Sequence, residues 1–119
     1  RKGPLEAADM SETGQDTRSS GSAGPPPEAF EKAADLLRAL SHPVRLRMIE
    51  ILGGGELCVK SLEEILGISQ SSVSQHLTRL RYAGLIESQR RGHLVCYRLI
   101  KDGAARILEA AMDESQLRD

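Results

Sequence analysis

The sequence predicts a mainly α-helical fold with a small β-hairpin, and three observations support this fold class. Apolar residues recur at steps of three or four in five segments after residue 27, which is the spacing of one helix face. A later stretch alternates apolar and polar residues on both sides of an Arg-Arg-Gly turn, the pattern of a hairpin. The chain has 119 residues, of which 39% are hydrophobic but only 3% aromatic, and this predicts one small domain with an aliphatic core.

The first 27 residues differ in composition from the rest of the chain. Residues 1–27 are rich in Gly, Ser and Pro and end in three consecutive prolines. Their apolar residues are too few to offset the entropy lost on ordering, so we expect a disordered N-terminal extension. Met10 is a candidate natural start, in which case residues 1–9 are a remnant of an expression vector. The folded domain is predicted over residues 28–115.

Two helices are predicted at the start of this domain. The first begins after the prolines and ends before Ser41-His42-Pro43, a sequence that breaks the apolar period. Ser41 is the predicted N-cap of the second helix and Pro43 suits its first turn, while His42 is interpreted as a turn or cap residue. The second helix ends at the glycines 53–55. The apolar positions of the two helices are Phe30, Ala33, Ala34, Leu37 and Leu40, followed by Val44, Leu46, Met48, Ile49 and Leu52.

A short helix, a turn and a longer helix come next. After an extended piece at 56–59, residues 61–66 are predicted to form the short helix, and Gly67 suits a left-handed C-cap. Ser69 is a strong N-cap candidate for the longer helix, which covers residues 70–83. The predicted buried stripe of this fourth helix consists of Val73, Leu77 and Leu80.

A hairpin and a last helix complete the predicted order. The strands are residues 85–89 and 93–99, joined by a turn at 90–92, and the last helix covers residues 102–114. A short helix, a turn and a polar-faced helix, followed at once by a hairpin, form the order of a winged helix-turn-helix.

The outward face of the fourth helix predicts contact with double-stranded DNA. Its hydroxyl, amide and basic side chains donate to and accept from base edges and phosphates in the major groove. No acidic residue occurs from Gln70 to Ile86, and residues 69–98 hold five arginines against one glutamate, a net charge of +4. Arg90 and Arg91, at the predicted hairpin tip, are placed to reach a neighbouring minor groove. The predicted DNA-contact residues on the helix are Gln70, Ser71, Ser72, Ser74, Gln75, His76 and Arg79.

Two other interpretations of this face stay open at this point. It is either an ordinary solvated helix face, or part of a winged helix that binds another protein and no DNA. Catalysis is not predicted, because the sequence shows no nucleophile with a placed base and no glycine loop for a phosphate. The sequence also lacks a run of 18 apolar residues and the apolar core of a signal peptide, so we expect a cytoplasmic protein.

Three motifs resemble the ArsR/SmtB family of transcriptional repressors. Residues 40–46 (LSHPVRL) are similar to the family's second-helix signature, and residues 68–77 (ISQSSVSQHL) resemble its recognition helix. Residues 83–86 (AGLI), with Gly92 and residues 97–99 (YRL), resemble its wing. The resemblance covers residues 28–112. It implies a homodimeric winged-helix repressor whose first and last helices form the dimer interface and whose effector releases operator DNA.

The apolar stripes of the first and last helices also predict a homodimer. A chain of this size is not expected to cover both stripes alone, although internal packing of both is the alternative. A two-fold dimer presents two recognition helices to a palindromic operator, so the 28–115 domain is expected to serve both DNA binding and dimerisation. The predicted interface residues are Phe30, Ala33, Leu37, Ile107, Leu108 and Ala111.

The signal that such a repressor would sense is less clearly encoded. Residues 56–62 resemble the family's arsenic-binding segment, but Lys60 stands where a second cysteine is usual. The last helix offers no His for zinc, so we expect no metal and no cofactor. Cys58 and Cys96 remain as sensor candidates, since neighbouring strands could bring them together for a disulfide, a polysulfide bridge or a soft-metal site. The alternatives are two buried cysteines that act as small apolar residues, and a family member without metal or redox sensing.

Overall fold

The structure is a computed structural model that describes residues 24–100 and 102–117. Residues 1–23 of the predicted disordered extension therefore lie outside the described residues. No helix in the described ranges is both long enough and apolar enough to cross a lipid bilayer. The elements in chain order are α1 (Pro27–Leu40), α2 (Pro43–Leu52), β1 (Leu57–Cys58), α3 (Val59–Leu66), α4 (Gln70–Tyr82), β2 (Ile86–Arg91), β3 (Leu94–Leu99) and α5 (Gly103–Leu117).

These elements form the predicted mainly α-helical winged helix-turn-helix. The three strands make one antiparallel sheet in the order β1-β3-β2. The hairpin β2–β3 is the wing, and β1 pairs Leu57 with Tyr97 and Cys58 with Cys96. The chain divides inside α1, between Ala34 and Asp35, into two compact units, and the second unit contains the helix-turn-helix and the wing.

The core is aliphatic, as predicted. Its fully buried side chains come from α2, α3, α4, β2 and β3, and the predicted stripe of α4 is buried. In α2, Val44 and Leu46 of the predicted apolar set are half-buried against the core, whereas Arg45, which is not in that set, is only 8% exposed. Positions 45, 48, 49 and 52 follow the helical period, so an arginine occupies the first buried position of this helix. The largest fully buried side chains are Met48, Ile49, Leu62, Leu77, Leu80 and Ile86.

Two capping residues fix the turn between α3 and α4. Gly67 ends α3 in the left-handed region at φ 67°, where a residue with a Cβ is disfavoured, and this confirms the predicted C-cap. The Ser69 side chain accepts a hydrogen bond from the Ser72 backbone N–H at 3.2 Å, and this confirms the predicted N-cap. The start and rotation of α4 therefore follow from these two residues and from its buried stripe.

Several predicted boundaries were wrong. The N-cap of α2 is His42 rather than Ser41, because Nδ1 of His42 accepts from the Val44 N–H at 3.1 Å. Helix α3 begins at Val59, two residues before the predicted start, so the extended piece shrinks to Leu57–Cys58. Arg90 and Arg91 belong to β2, and the wing turns at residues 92–93.

Candidate nucleic-acid interface

The outward face of α4 carries the residues that the sequence singles out for DNA contact. Burial of Val73, Leu77 and Leu80 on the opposite side fixes which residues face solvent. Ser72, His76 and Thr78 are half-buried at the edges of this face. Its exposed members are Gln70, Ser71, Ser74, Gln75 and Arg79.

Hydrogen bonding divides these residues into engaged and available groups. The hydroxyl of Ser69 lies 3.2 Å from the Ser71 hydroxyl and 3.1 Å from the Ser72 hydroxyl. Within the part of the chain that the structure describes, the side-chain amides of Gln70 and Gln75 make no hydrogen bond to protein. A glutamine amide both donates and accepts, so these two amides are available to read a base edge.

The two wing arginines have different partners. Arg91 donates from Nε and Nη2 to the two carboxylate oxygens of Glu56, at 2.8 and 2.9 Å. This hydrogen bonding from Arg91 lowers the pKa of Glu56, and it raises the pKa of Arg91. Arg98 pairs with Glu87 across the hairpin, whereas Arg90 has no carboxylate within 4 Å in the described ranges. Arg90 is thus the wing arginine whose charge is not already offset.

A basic cluster lies between α2 and the middle of α4. Arg45 donates from Nε to the carbonyl oxygen of Ala39, and its Nη1 lies 3.3 Å from Nδ1 of His76. The rings of His42 and His76 are 4.5 Å apart. Burial lowers the pKa of His76, and the neighbouring His42 and Arg45 lower it further. The neutral imidazole can then accept from Arg45 through Nδ1.

An open cleft adjoins this cluster. Its volume is about 360 Å³, and it is lined by Arg45, Gln75, His76, Thr78 and Arg79. Arg45 was not among the residues that the sequence suggested for DNA contact. Its helical spacing from Met48 and Leu52 is the signal that could have identified it as a buried cation.

The two cysteines meet in the sheet. Cys58 and Cys96 are register partners on β1 and β3, with Cα atoms 3.6 Å apart, and their sulfurs form a disulfide across 38 residues. The interpretation as two independent buried cysteines was therefore wrong. The disulfide connects the wing to the residue that immediately precedes α3, which is the first helix of the helix-turn-helix. Whether the pair senses a signal stays a prediction.

The residues suggested for dimerisation differ in exposure. Phe30 and Leu37 on α1 are 63% and 52% exposed, and Ala33 and Ala111 are also exposed. Ile107 and Leu108 on α5 are half-buried against the core. The described part of the chain holds no group of three or more His, Cys, Asp or Glu side chains arranged to bind a metal ion.

Known proteins resemble this chain in sequence and in fold. A family model described as "Bacterial regulatory protein, arsR family" matches residues 42–88. The "Biofilm growth-associated repressor" of Agrobacterium fabrum is 43% identical over 89 residues, which are 71% of this chain and 76% of that protein. The structure of the transcriptional repressor BigR from Xylella fastidiosa has a TM-score of 0.64 and 40% identity, covering 70% of this chain and 85% of that chain. A homodimeric winged helix-turn-helix DNA-binding domain from Mycobacterium bovis has a TM-score of 0.68 over 83% of this chain and 88% of its own, and at 24% identity it shows the fold alone.

Proposed function

This chain belongs to the ArsR family of bacterial transcriptional regulators, and we propose that it is a homodimeric repressor that binds a palindromic operator. In this proposal α4 lies in the major groove and the wing contacts the flanking backbone or minor groove. The residues that meet DNA are those on the outward face of α4, together with Arg90 and Arg91 of the wing. Arg91 stays paired with Glu56 in this proposal and so adds no net charge to the contact. A signal that changes the geometry of helix-turn-helix and wing then releases the operator.

One observation carries this proposal, namely the acid-free outward face of α4 with two available glutamine amides. No acidic residue occurs between Gln70 and Ile86, so nothing on this face repels phosphate. Gln75 is exposed in the middle of the helix, where a bidentate contact with adenine is the usual role of a glutamine. A winged helix that binds only proteins has no need for such a face.

Selection from a random-sequence duplex library tests this function directly. We expect one palindromic sequence to be enriched, and Gln75→Ala to reduce the ratio of specific to non-specific affinity about tenfold. Gln116→Ala, an exposed glutamine on α5, is the matched control and should leave the ratio unchanged. Failure of the wild-type chain to enrich any duplex would instead favour a protein-interaction module.

We further propose that the Cys58–Cys96 pair is the signal input. Forming the disulfide removes two electrons and two protons from the two thiols, and the acceptor is a disulfide or a polysulfide that is reduced in exchange. The cross-link then ties the wing to the start of α3, so the wing and the helix-turn-helix no longer move independently. We expect the reduced protein to be the form that holds the operator.

Operator binding in the two redox states tests this input. The reduced wild-type protein should bind at least about tenfold more tightly than the disulfide form, a change of about 1.4 kcal/mol. Cys58→Ser and Cys96→Ser cannot form the bond and should not respond to the oxidant. Equal affinity of the two wild-type states would leave the disulfide as a structural element only.

A further inference from the structure

We propose that Arg45, His76 and Arg79 form a binding site for one phosphate of the operator backbone. The site is the cleft between α2 and α4 that these side chains line together with Gln75 and Thr78. The inference rests on the proposed DNA-binding function. It assigns a phosphate contact to α2, whereas the DNA contacts proposed above lie on α4 and the wing.

The first argument is the unbalanced charge of Arg45. Its residue is only 8% exposed, and in the described ranges no carboxylate lies within salt-bridge distance of it. Its two contacts, the carbonyl oxygen of Ala39 and the imidazole of His76, are neutral groups. A buried cation without an anion is costly, and a guanidinium has more N–H donors than these two contacts use.

The second argument is the cationic surroundings of the cleft. Burial lowers the pKa of Arg45, and repulsion from Arg79 lowers it further. Among the residues that the structure describes, His42 and His76 are the other titratable groups at this junction, and no acidic residue lines the cleft. An anion placed here would offset the repulsion between the two guanidinium groups, and a phosphate matches their planar donor geometry.

The third argument concerns where the phosphate comes from. Free phosphate and the DNA backbone offer the same chemistry, but the cleft also includes Gln75, the proposed base-reading residue. A backbone phosphate held beside that residue would fix the depth and register of α4 in the groove, which is the usual task of phosphate contacts. We therefore assign the site to the DNA backbone.

Substitution of single phosphates by neutral methylphosphonates tests the assignment. In the selected operator we expect one position in each half-site where this change weakens wild-type binding at least about tenfold. In Arg45→Gln and in Arg79→Gln, the methylphosphonate at that position should no longer weaken binding. Methylphosphonates at the other contacted phosphates should still weaken binding by these variants. Arg47→Gln, an exposed arginine of α2 outside the cleft, is the control and should behave as wild type.

The possible outcomes separate this inference from the function on which it rests. Suppose that the wild type selects an operator, but every methylphosphonate that weakens wild-type binding also weakens binding by the variants. The phosphate site is then overturned and the DNA-binding function stands. If the wild type selects no operator, the proposed function itself fails. If Arg45→Gln does not fold, Arg79→Gln decides the question, because Arg79 is exposed and its removal leaves no buried gap.

A titration with inorganic phosphate distinguishes the second source. The imidazole resonances of His76 report occupancy of the cleft, and we expect no saturable shift at millimolar phosphate. A saturable shift, combined with no coupled position in the DNA, would assign the cleft to free phosphate and overturn the assignment to the backbone.

Discussion

Arg90 and Arg91 are neighbours in β2, but their guanidinium groups have different electrostatic surroundings. Arg91 is held by both carboxylate oxygens of Glu56, and Arg90 has no such partner in the described ranges. We expect Arg90→Ala to reduce the magnitude of the salt dependence of operator binding, log K against log salt, by about 0.9 for each phosphate that the protein no longer neutralises. Arg91→Ala combined with Glu56→Gln removes a neutral pair and should leave the slope unchanged. Equal effects of the two changes would mean that the Arg91–Glu56 pair opens on DNA.

His76 links the same interface to pH. Burial, together with His42 and Arg45, lowers the pKa of His76 below the ordinary histidine value of about 6.5. Between the lowered pKa of the folded chain and the ordinary pKa of the unfolded chain, the unfolded chain binds a proton that the folded chain does not. The free energy of unfolding therefore decreases as the pH falls through 6.5. We expect urea unfolding to show a larger loss of stability between pH 7.5 and 5.5 in the wild type than in His76→Gln. The same loss of stability in both proteins would contradict the assignment of this pH dependence to His76.

At the scale of elements, local signals were sufficient where one residue determines a boundary. Gly67 and Ser69 could be predicted because a left-handed C-cap and a serine N-cap depend only on neighbouring backbone. The early start of α3 could not, because Cys58 precedes it without a side-chain capping hydrogen bond. The contacts of Glu56 with Arg91 and of Cys58 with Cys96 join residues 35 and 38 positions apart, and only the sheet brings them together.

The candidate site divides in the same way. The polar face of α4 follows from helical periodicity, so its residues could be named from the sequence alone. The neutralised state of Arg91 and the burial of Arg45 depend on side chains from other elements. These two findings change which cations are available to DNA. The helical spacing of Arg45 from Met48 and Leu52 indicates that Arg45 is buried, but no local pattern reports that Arg91 is paired with Glu56.

The disulfide between β1 and β3 should contribute to stability. Closing a loop over 38 residues removes entropy from the unfolded chain, and the chain-entropy model gives about 4 kcal/mol for that length. We expect the oxidised wild type to unfold at higher urea than the reduced protein, while Cys58→Ser unfolds at one midpoint under both conditions. Coincident midpoints for the oxidised and reduced wild type would show that the cross-link does not stabilise this fold.

At the scale of the whole molecule, the net charge of −1 conceals a separation of charge. The segment from α4 through the wing is basic, whereas a groove of about 460 Å³ between α2 and α5 includes Glu50, Glu109 and Asp113. The acidic side chains of this groove thus lie outside α4 and the wing, the two elements proposed to read DNA. Such a separation favours approach to DNA with α4 leading, even though the chain as a whole is nearly neutral.

The proposed dimer determines whether the DNA-binding surfaces of two protomers, each made of α4 and the wing, act together. Phe30 and Leu37 are large apolar side chains that are more than half exposed on the predicted apolar stripe of α1, where a second copy would cover them. We expect the wild-type chain to have twice the mass of 13.0 kDa in analytical ultracentrifugation, and Leu37→Glu to have the single mass. In the dimer, binding of one protomer holds the other beside the second half-site. Leu37→Glu removes this link between the protomers, so it should lose at least about a hundredfold in operator affinity.

A matched substitution separates loss of the interface from loss of an exposed apolar side chain. Ile65 on α3 is 47% exposed and lies outside the predicted interface, so Ile65→Glu should keep the dimeric mass. Circular dichroism should show the same helix content in both variants, because each change places a charge on a solvent-exposed position. A dimeric mass for Leu37→Glu would move the interface away from Leu37. A monomeric wild type that still binds a palindrome with full affinity would mean that the two half-sites are occupied independently.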